Sequence, residues 1–388
     1  MTSDRMTSEE RLDTAMRCGV PDRVPVAPLI HYFAAACAGM TCADLWWSRK
    51  KYHQAMRACY DLAGPWDAAY LLDAASPEAY TWLVPMKMKV PGRELPADSP
   101  AQFLEMEIMK RSDYEWLVKR YKGGDRLAFL SLLTKLVRRA NHPRLQGARG
   151  ILRLIRDGAL QAHYYRQNTR IWRRLGVAMY YGGGLEAPFD TFSCTRSFEP
   201  FIDDLMEVPE LVAEAAMAAV PSFVLAARAS RRVTGVKRFM VLCHRSSNDF
   251  ISPRMFRDLA LPSLTKICGR LARHGILTAL HMDGNWDRNL ELLKELPPAS
   301  CTVQLDGASD IFRARKVLGN HVSILGDVPP LMLYQAEPAT VEAYCKRLIE
   351  EVGRDGAFTL GAGCEVPFNA KVENVRAMVG AVKKYGYY

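Results

Sequence analysis

The sequence predicts an α/β protein, a (β/α)8 TIM barrel carrying a basic helical insertion. Three observations predict it. From about residue 175 onward one unit recurs, a short apolar run ending in polar or glycine residues and followed by an amphipathic stretch. Near-continuous apolar strands alternating with helices imply parallel strands buried on both faces. Adding the runs of the first part gives about eight strands, which favours a closed barrel over an open doubly wound sheet.

In chain order the runs are Val24–Ile30, Asp67–Leu72, Gly176–Tyr181, Phe239–His244, Ile276–His281, Cys301–Asp306, Val322–Asp327 and Ala357–Gly363. Tyr80–Val90 reads as either strand or loop. Between the later runs lie helical patterns. SPRMFRDLALPSLTKICGRLARHG has Ser252 as N-cap and Gly275 as its stop. DRNLELLKELP and TVEAYCKRLIEEVG, the latter capped by Thr340, are two more. Residues 101–174 break the rhythm with a long, helix-rich, basic stretch, expected as an insertion within one domain spanning 1–388. No G-x-G-x-x-G follows the first run and no P-loop motif occurs, so dinucleotide and P-loop readings lose their support.

The 388 residues are 49% hydrophobic and 24% charged, as in ordinary globular chains and unlike disordered or fibrous ones. No uninterrupted apolar run reaches the ~18–20 residues of a membrane span, and the acidic N-terminus does not read as a signal peptide. Ten scattered cysteines without a C-x-x-C pair suggest free thiols in a reduced, cytoplasmic setting. The net charge of +10 is uneven. Residues 110–174 hold 17 Lys or Arg against four acids, a balance of +13, leaving about −3 for the rest. The basic character therefore belongs to one segment, and a whole-protein argument for nucleic-acid binding fails.

Barrel chemistry gathers at the C-terminal ends of the strands. Those ends supply Tyr180 and Tyr181, His244, His281 with Asp283, Asp306, Asp327, and Cys364 with Glu365. In ILTALHMDGN, His281 and Asp283 point to one side if the backbone remains extended. With Cys364 of GAGCEVP they make three zinc-type ligands, the number that leaves a catalytic position open; Glu365 or substrate is the candidate fourth. His244 and Asp306 are the candidate catalytic groups. Tyr32, Tyr180, Tyr181, Phe250 and Trp286, with Phe189, are candidates to line an aromatic-accepting pocket. Each also has a structural reading: a histidine hydrogen-bonded at a strand end, an inert buried cysteine, aspartates capping helices, aromatics packed in the core.

The ordered motifs resemble the uroporphyrinogen decarboxylase superfamily. MTSEERLDTAMRCGVPDRVPVAPL resembles its opening, and NDFISPRMFRDLALPSLTKI its S-P-x-x-F segment. VSILGDVPPLML and GAGCEVPFNAKVENVRAMVGAVKKYG resemble its last two strand ends. Residues of about 90–200 carry no such likeness. The resemblance implies one of two activities. The decarboxylases carry an arginine-rich loop for substrate carboxylates, whereas APLIHYFAAACAGMT here has no arginine. The cobalamin-dependent methyltransferase branch carries a zinc site of H-x-C plus a distant Cys, matched by His281 and Cys364 with Asp283 in place of the middle Cys. The expectation is a zinc-dependent methyltransferase working with a corrinoid on an acidic partner protein, without nucleic acid or membrane. Carboxylate oxygen is a harder and less donating ligand than thiolate, which suits a methyl ether donor such as a methoxylated aromatic. The alternatives are a tetrapyrrole lyase and a non-catalytic corrinoid- or porphyrin-binding protein.

Overall fold

A computed structural model describes residues 4–70, 85–140 and 147–388. Six parallel strands follow one another in sheet order: Gly184–Glu186, Arg238–Cys243, Leu277–Met282, Cys301–Leu305, Ser323–Val328 and Phe358–Ala362. Backbone hydrogen bonds close this sheet into a ring. Ala27 N donates to Leu360 O, Asp67 N to Val26 O, Ala178 N to Asp67 O and Gly182 N to Arg238 O. Ala178–Met179 and Gly184–Glu186 are thus two parts of one barrel run, joined through Tyr180, Tyr181, Gly182 and Gly183. All eight expected runs take part; Leu71 and Leu72 of the second, and residues 80–84 of the ambiguous stretch, lie outside the described residues. Lys87–Lys89 pairs antiparallel with Gln102–Leu104, so that region is a small hairpin.

The opening motif seals the N-terminal end of the barrel. Thr7 and Glu10 form a capping box on the helix Ser8–Met16. That helix sends Arg11 inward to Asp22 and Asp67, each at 2.6 Å. Arg23 joins Asp67 at 2.7 Å, and Arg238 at the foot of the fourth strand takes Glu9 at 2.8 Å. Arg11, Asp22, Arg23, Asp67 and Arg238 are buried but paired, the condition under which buried ions are tolerated, while Glu9 stays half-exposed. Their place opposite the catalytic face makes this motif a support.

Between the second and third runs lie the helices Ser112–Lys122, Ala128–Ala140 and Gly147–Arg174. They pack on the barrel through rings. Phe129 stacks on Phe223 at 5.6 Å between centroids, and Tyr114 meets Phe192 edge-on at 5.2 Å. The helix Pro209–Thr234, which contributes Phe223, is long and apolar enough by length and composition to cross a membrane, but over half of its most apolar window is buried in the protein. Counting uninterrupted apolar runs missed it because Glu210, Glu214 and Arg228 punctuate it.

Two helix expectations need correction. Residues 287–297 hold only the short 3-10 turn Leu292–Glu295. Their first residues are tied sideways instead: Asp287 N donates to Asn285 Oδ1 and Arg288 N to Asn248 Oδ1. Thr340 is not a cap. The helix begins two residues earlier, at Pro338, where the ring already fixes a helical φ. Ser252 does cap its helix, accepting from Met255 N, and Gly275 follows the end of that helix with φ +65°.

Candidate metal centre

The fifth strand ends at Met282, yet its pairing continues one residue further, with Asp283 N donating to Cys243 O at 3.0 Å. His281 and Asp283 therefore project to one side. His281 Nε2 lies 3.2 Å from Asp283 Oδ1 and 3.8 Å from Cys364 Sγ. Ligand atoms of the three residues all fall within 4.8 Å of one another. Donors bound tetrahedrally at ~2.0–2.3 Å would stand roughly 3.3–3.7 Å apart. The two His281 spacings bracket that range, so these donors suit one divalent ion once the wider spacing closes. His281 is buried while Asp283 and Cys364 are partly open, so the cluster sits at the rim.

Cys364 is brought there by the glycine before it. A Cβ at Gly363 would stand 2.4 Å from the Asp306 carbonyl oxygen, so only glycine allows the eighth strand to pass the sixth this closely. Gln304 supports the same turn, donating from Nε2 to Gly363 O at 3.3 Å and accepting from Tyr70 Oη at 3.4 Å. Burial would raise the Asp283 carboxyl, but hydrogen bonds from His244 and His281 outweigh it and hold it well below the usual carboxylate range. Burial likewise opposes charge on His281, and its contacts with Asp283 and Cys364 overcome that and push it well up. His281 and Asp283 thus form a charge-compensated pair beside the Cys364 sulfur.

The remaining candidates divide. His244 joins the cluster, its Nδ1 2.6 Å from Asp283 Oδ2. Glu365 is not part of it: its Oε1 accepts from Tyr32 N at 3.2 Å and lies 3.6 Å from His31 Nδ1. Asp306 holds backbone instead, accepting from Gly284 N at 2.6 Å and Ala308 N at 2.9 Å. Tyr180 stacks on Tyr70 at 4.8 Å, and Tyr181 meets Tyr70 edge-on at 5.9 Å. Trp286 is fully buried, donating from Nε1 to Asp283 O, and so supports the centre from below rather than facing an open pocket. Tyr32 Oη accepts from Trp46 and from Ala101 N, Phe250 is exposed beside Phe198, and Phe189 packs on Phe201 in the core.

Sequence reasoning missed four residues here. Gln304 lies inside a strand and Tyr70 directly after one, where a single polar side chain gives no period signal. Glu186 follows three glycines that hide the continuation of the third strand. Asp190 sits on the helix Pro188–Arg196 and accepts from the backbone N of His244, Arg245 and Ser246. Burial pushes the carboxyls of both Glu186 and Asp190 up.

A family profile described as "Uroporphyrinogen decarboxylase (URO-D)" matches residues 141–385. The chain belongs to this family. Within it, a uroporphyrinogen decarboxylase from Pseudoalteromonas atlantica is 27% identical over 142 residues, 35% of this chain and 38% of that protein. A methylcobamide:CoM methyltransferase, MtbA, from Methanosarcina mazei is 25% identical over 154 residues, 39% of this chain and 43% of that protein. The matched segments thus span less than half of these curated relatives. A solved methyltransferase structure from Methanosarcina mazei covers 98% of this chain and 99% of its own, with a TM-score of 0.69 and 18% identity. It shares the barrel fold along the whole length. Family members of both chemistries are therefore similar to this chain.

Proposed function

We propose that the protein is a zinc-dependent methyltransferase of this family, moving a methyl group between a small methyl ether and a corrinoid carried by a partner protein. The observation that carries the reading is the convergence of His281, Asp283 and Cys364. Their three donors would hold Zn²⁺ and leave a coordination position free. The ion, when bound, supplies a Lewis acid that polarises the ether oxygen and stabilises the departing alkoxide or phenolate. The chain's own residues place and shield that oxygen. Tyr70, which bonds Gln304, carries Tyr180 stacked on it and Tyr181 edge-on, a buried aromatic group suited to shield that side of the centre. Gln304 fixes the turn that presents Cys364.

The acceptor's partner protein would meet the basic insertion. On the helix Gly147–Arg174, Leu152 and Ile155 are 66% and 64% exposed beside the exposed Arg149, a surface suited to an acidic protein with an apolar patch. A decarboxylase reading finds less support. Asp283, Asp306 and Glu365 stand around the centre with Glu186 and Asp190 buried behind them, and Arg245, close to Glu186, is taken up by Glu105 at 2.5 Å. A substrate rich in carboxylates would find few counter-charges there.

Metal analysis and a methyl-donor assay with reduced cobalamin test the proposal together. The expected result is about one zinc per chain and demethylation of a methyl ether, with His281→Ala and Cys364→Ala each losing the metal. Purified protein without zinc, or one that methylates a thiol while cleaving no ether, would overturn it.

A further inference from the structure

We infer that His244 is a positioning residue for the metal centre, clamping one oxygen of Asp283 so that the other is presented to the ion. The inference rests on the centre proposed above and concerns the residues around it. The two oxygens of Asp283 have divided tasks: Oδ2 is held by His244 Nδ1 at 2.6 Å, and Oδ1 faces His281 Nε2 at 3.2 Å. The backbone of Asp283 is fixed independently, by Asp283 N on Cys243 O and by Trp286 Nε1 on Asp283 O. The orientation of the carboxylate about its own side-chain torsions is therefore what His244 decides. That side chain is 30% exposed, so packing alone does not fix it.

His244 is itself held from two directions. The fully buried Asp190 accepts from the backbone N of His244 at 2.7 Å, of Arg245 at 2.6 Å and of Ser246 at 3.1 Å, and from Ser246 Oγ at 3.0 Å. One carboxylate thus pins the turn that leaves the fourth strand. Beyond the imidazole ring, Glu186 Oε1 stands 3.8 Å from Nε2. Its other oxygen, Oε2, is buried without a hydrogen-bond partner in the structure, which leaves the group free to follow the ring. Glu186, His244, Asp283 and His281 form a chain from the third strand to the fifth. Such outer partners tune ligand orientation, and their loss typically weakens metal binding about 10- to 100-fold.

The test measures Zn²⁺ affinity of the full-length protein by chelator competition, and the visible spectrum of its Co²⁺ form, for His244→Ala and His244→Asn. The asparagine amide can donate to Asp283 from near the position of Nδ1. His244→Ala should bind zinc about 10- to 100-fold more weakly and alter the Co²⁺ spectrum, because both carboxylate oxygens become free to approach the ion. His244→Asn should restore affinity and spectrum to near those of the unaltered protein. Equal affinity and spectrum for His244→Ala and the unaltered protein would overturn the inference, as would a His244→Asn variant as impaired as His244→Ala. If the unaltered protein binds neither ion, the metal-centre reading fails and this inference with it.

Discussion

Replacing Asp327 by asparagine should stabilise the protein, and by an amount that grows with pH. Asp327 is the penultimate residue of the seventh strand and is 3% exposed. Burial is the largest influence on its carboxyl and raises it, the negative charges of Asp310 and Asp306 act the same way, and the hydrogen bond from Tyr344 Oη at 2.7 Å only partly opposes them. The result is a pKa pushed up from 3.8 to about 6. A raised carboxyl favours the folded state while protonated, fully so below the unfolded value near 4, and loses that contribution as pH rises through about 6. Two pH units correspond to about 3 kcal/mol. Asparagine is neutral at every pH and its Oδ1 can still accept from Tyr344. Asp327→Asn should therefore gain about 3 kcal/mol at pH 8 but less than about 1 kcal/mol at pH 4. With unfolding entropy scaling with chain length, the gain at pH 8 is a rise of about 4 °C in Tm. Scanning calorimetry of both proteins from pH 4 to pH 8 measures it. A Tm difference that does not change with pH would refute the reasoning, because a purely steric or hydrogen-bonding effect of asparagine carries no such dependence.

Two further outcomes follow from the insertion. Phe129→Ala removes a fully buried ring that stacks on Phe223, and should cost about 3–5 kcal/mol, read as a lower Tm of the whole protein; an unchanged barrel transition would mean that the insertion is an independent appendage. Leu152→Glu with Ile155→Glu places acids on the exposed apolar face of the Gly147–Arg174 helix. This pair should leave Tm and zinc content unchanged while lowering methyl transfer to a corrinoid-carrying protein about tenfold or more, with transfer to free cobalamin unaffected. Equal losses with both acceptors would place the effect outside partner docking.

The fold was largely legible because buried parallel strands leave a dense signal. Each of the eight apolar runs pairs where its pattern places it, and Ser252 and Gly275 bound their helix through local chemistry alone. The pair His281 and Asp283 was legible for the same reason, since strand alternation is a local rule. Legibility failed where partners are remote in sequence. Residues 287–297 have a helical pattern, but the remote Asn248 captures the backbone donor of Arg288 while Asn285 takes that of Asp287 locally. Trp286 and Tyr32 read as pocket aromatics, yet their polar atoms are engaged within the structure.

The sequence by itself determined the strand and helix alternation, the caps, the uneven charge and the residue types available at the rim, because all of these depend on neighbours within a few positions. Only the tertiary structure decided that His281 and Cys364, 83 residues apart, approach to 3.8 Å, and that Asp190 and Glu186 stand behind His244. Those distances follow from ring closure and from the close passage at Gly363. They depend on the curvature of the whole sheet, and no local pattern encodes it.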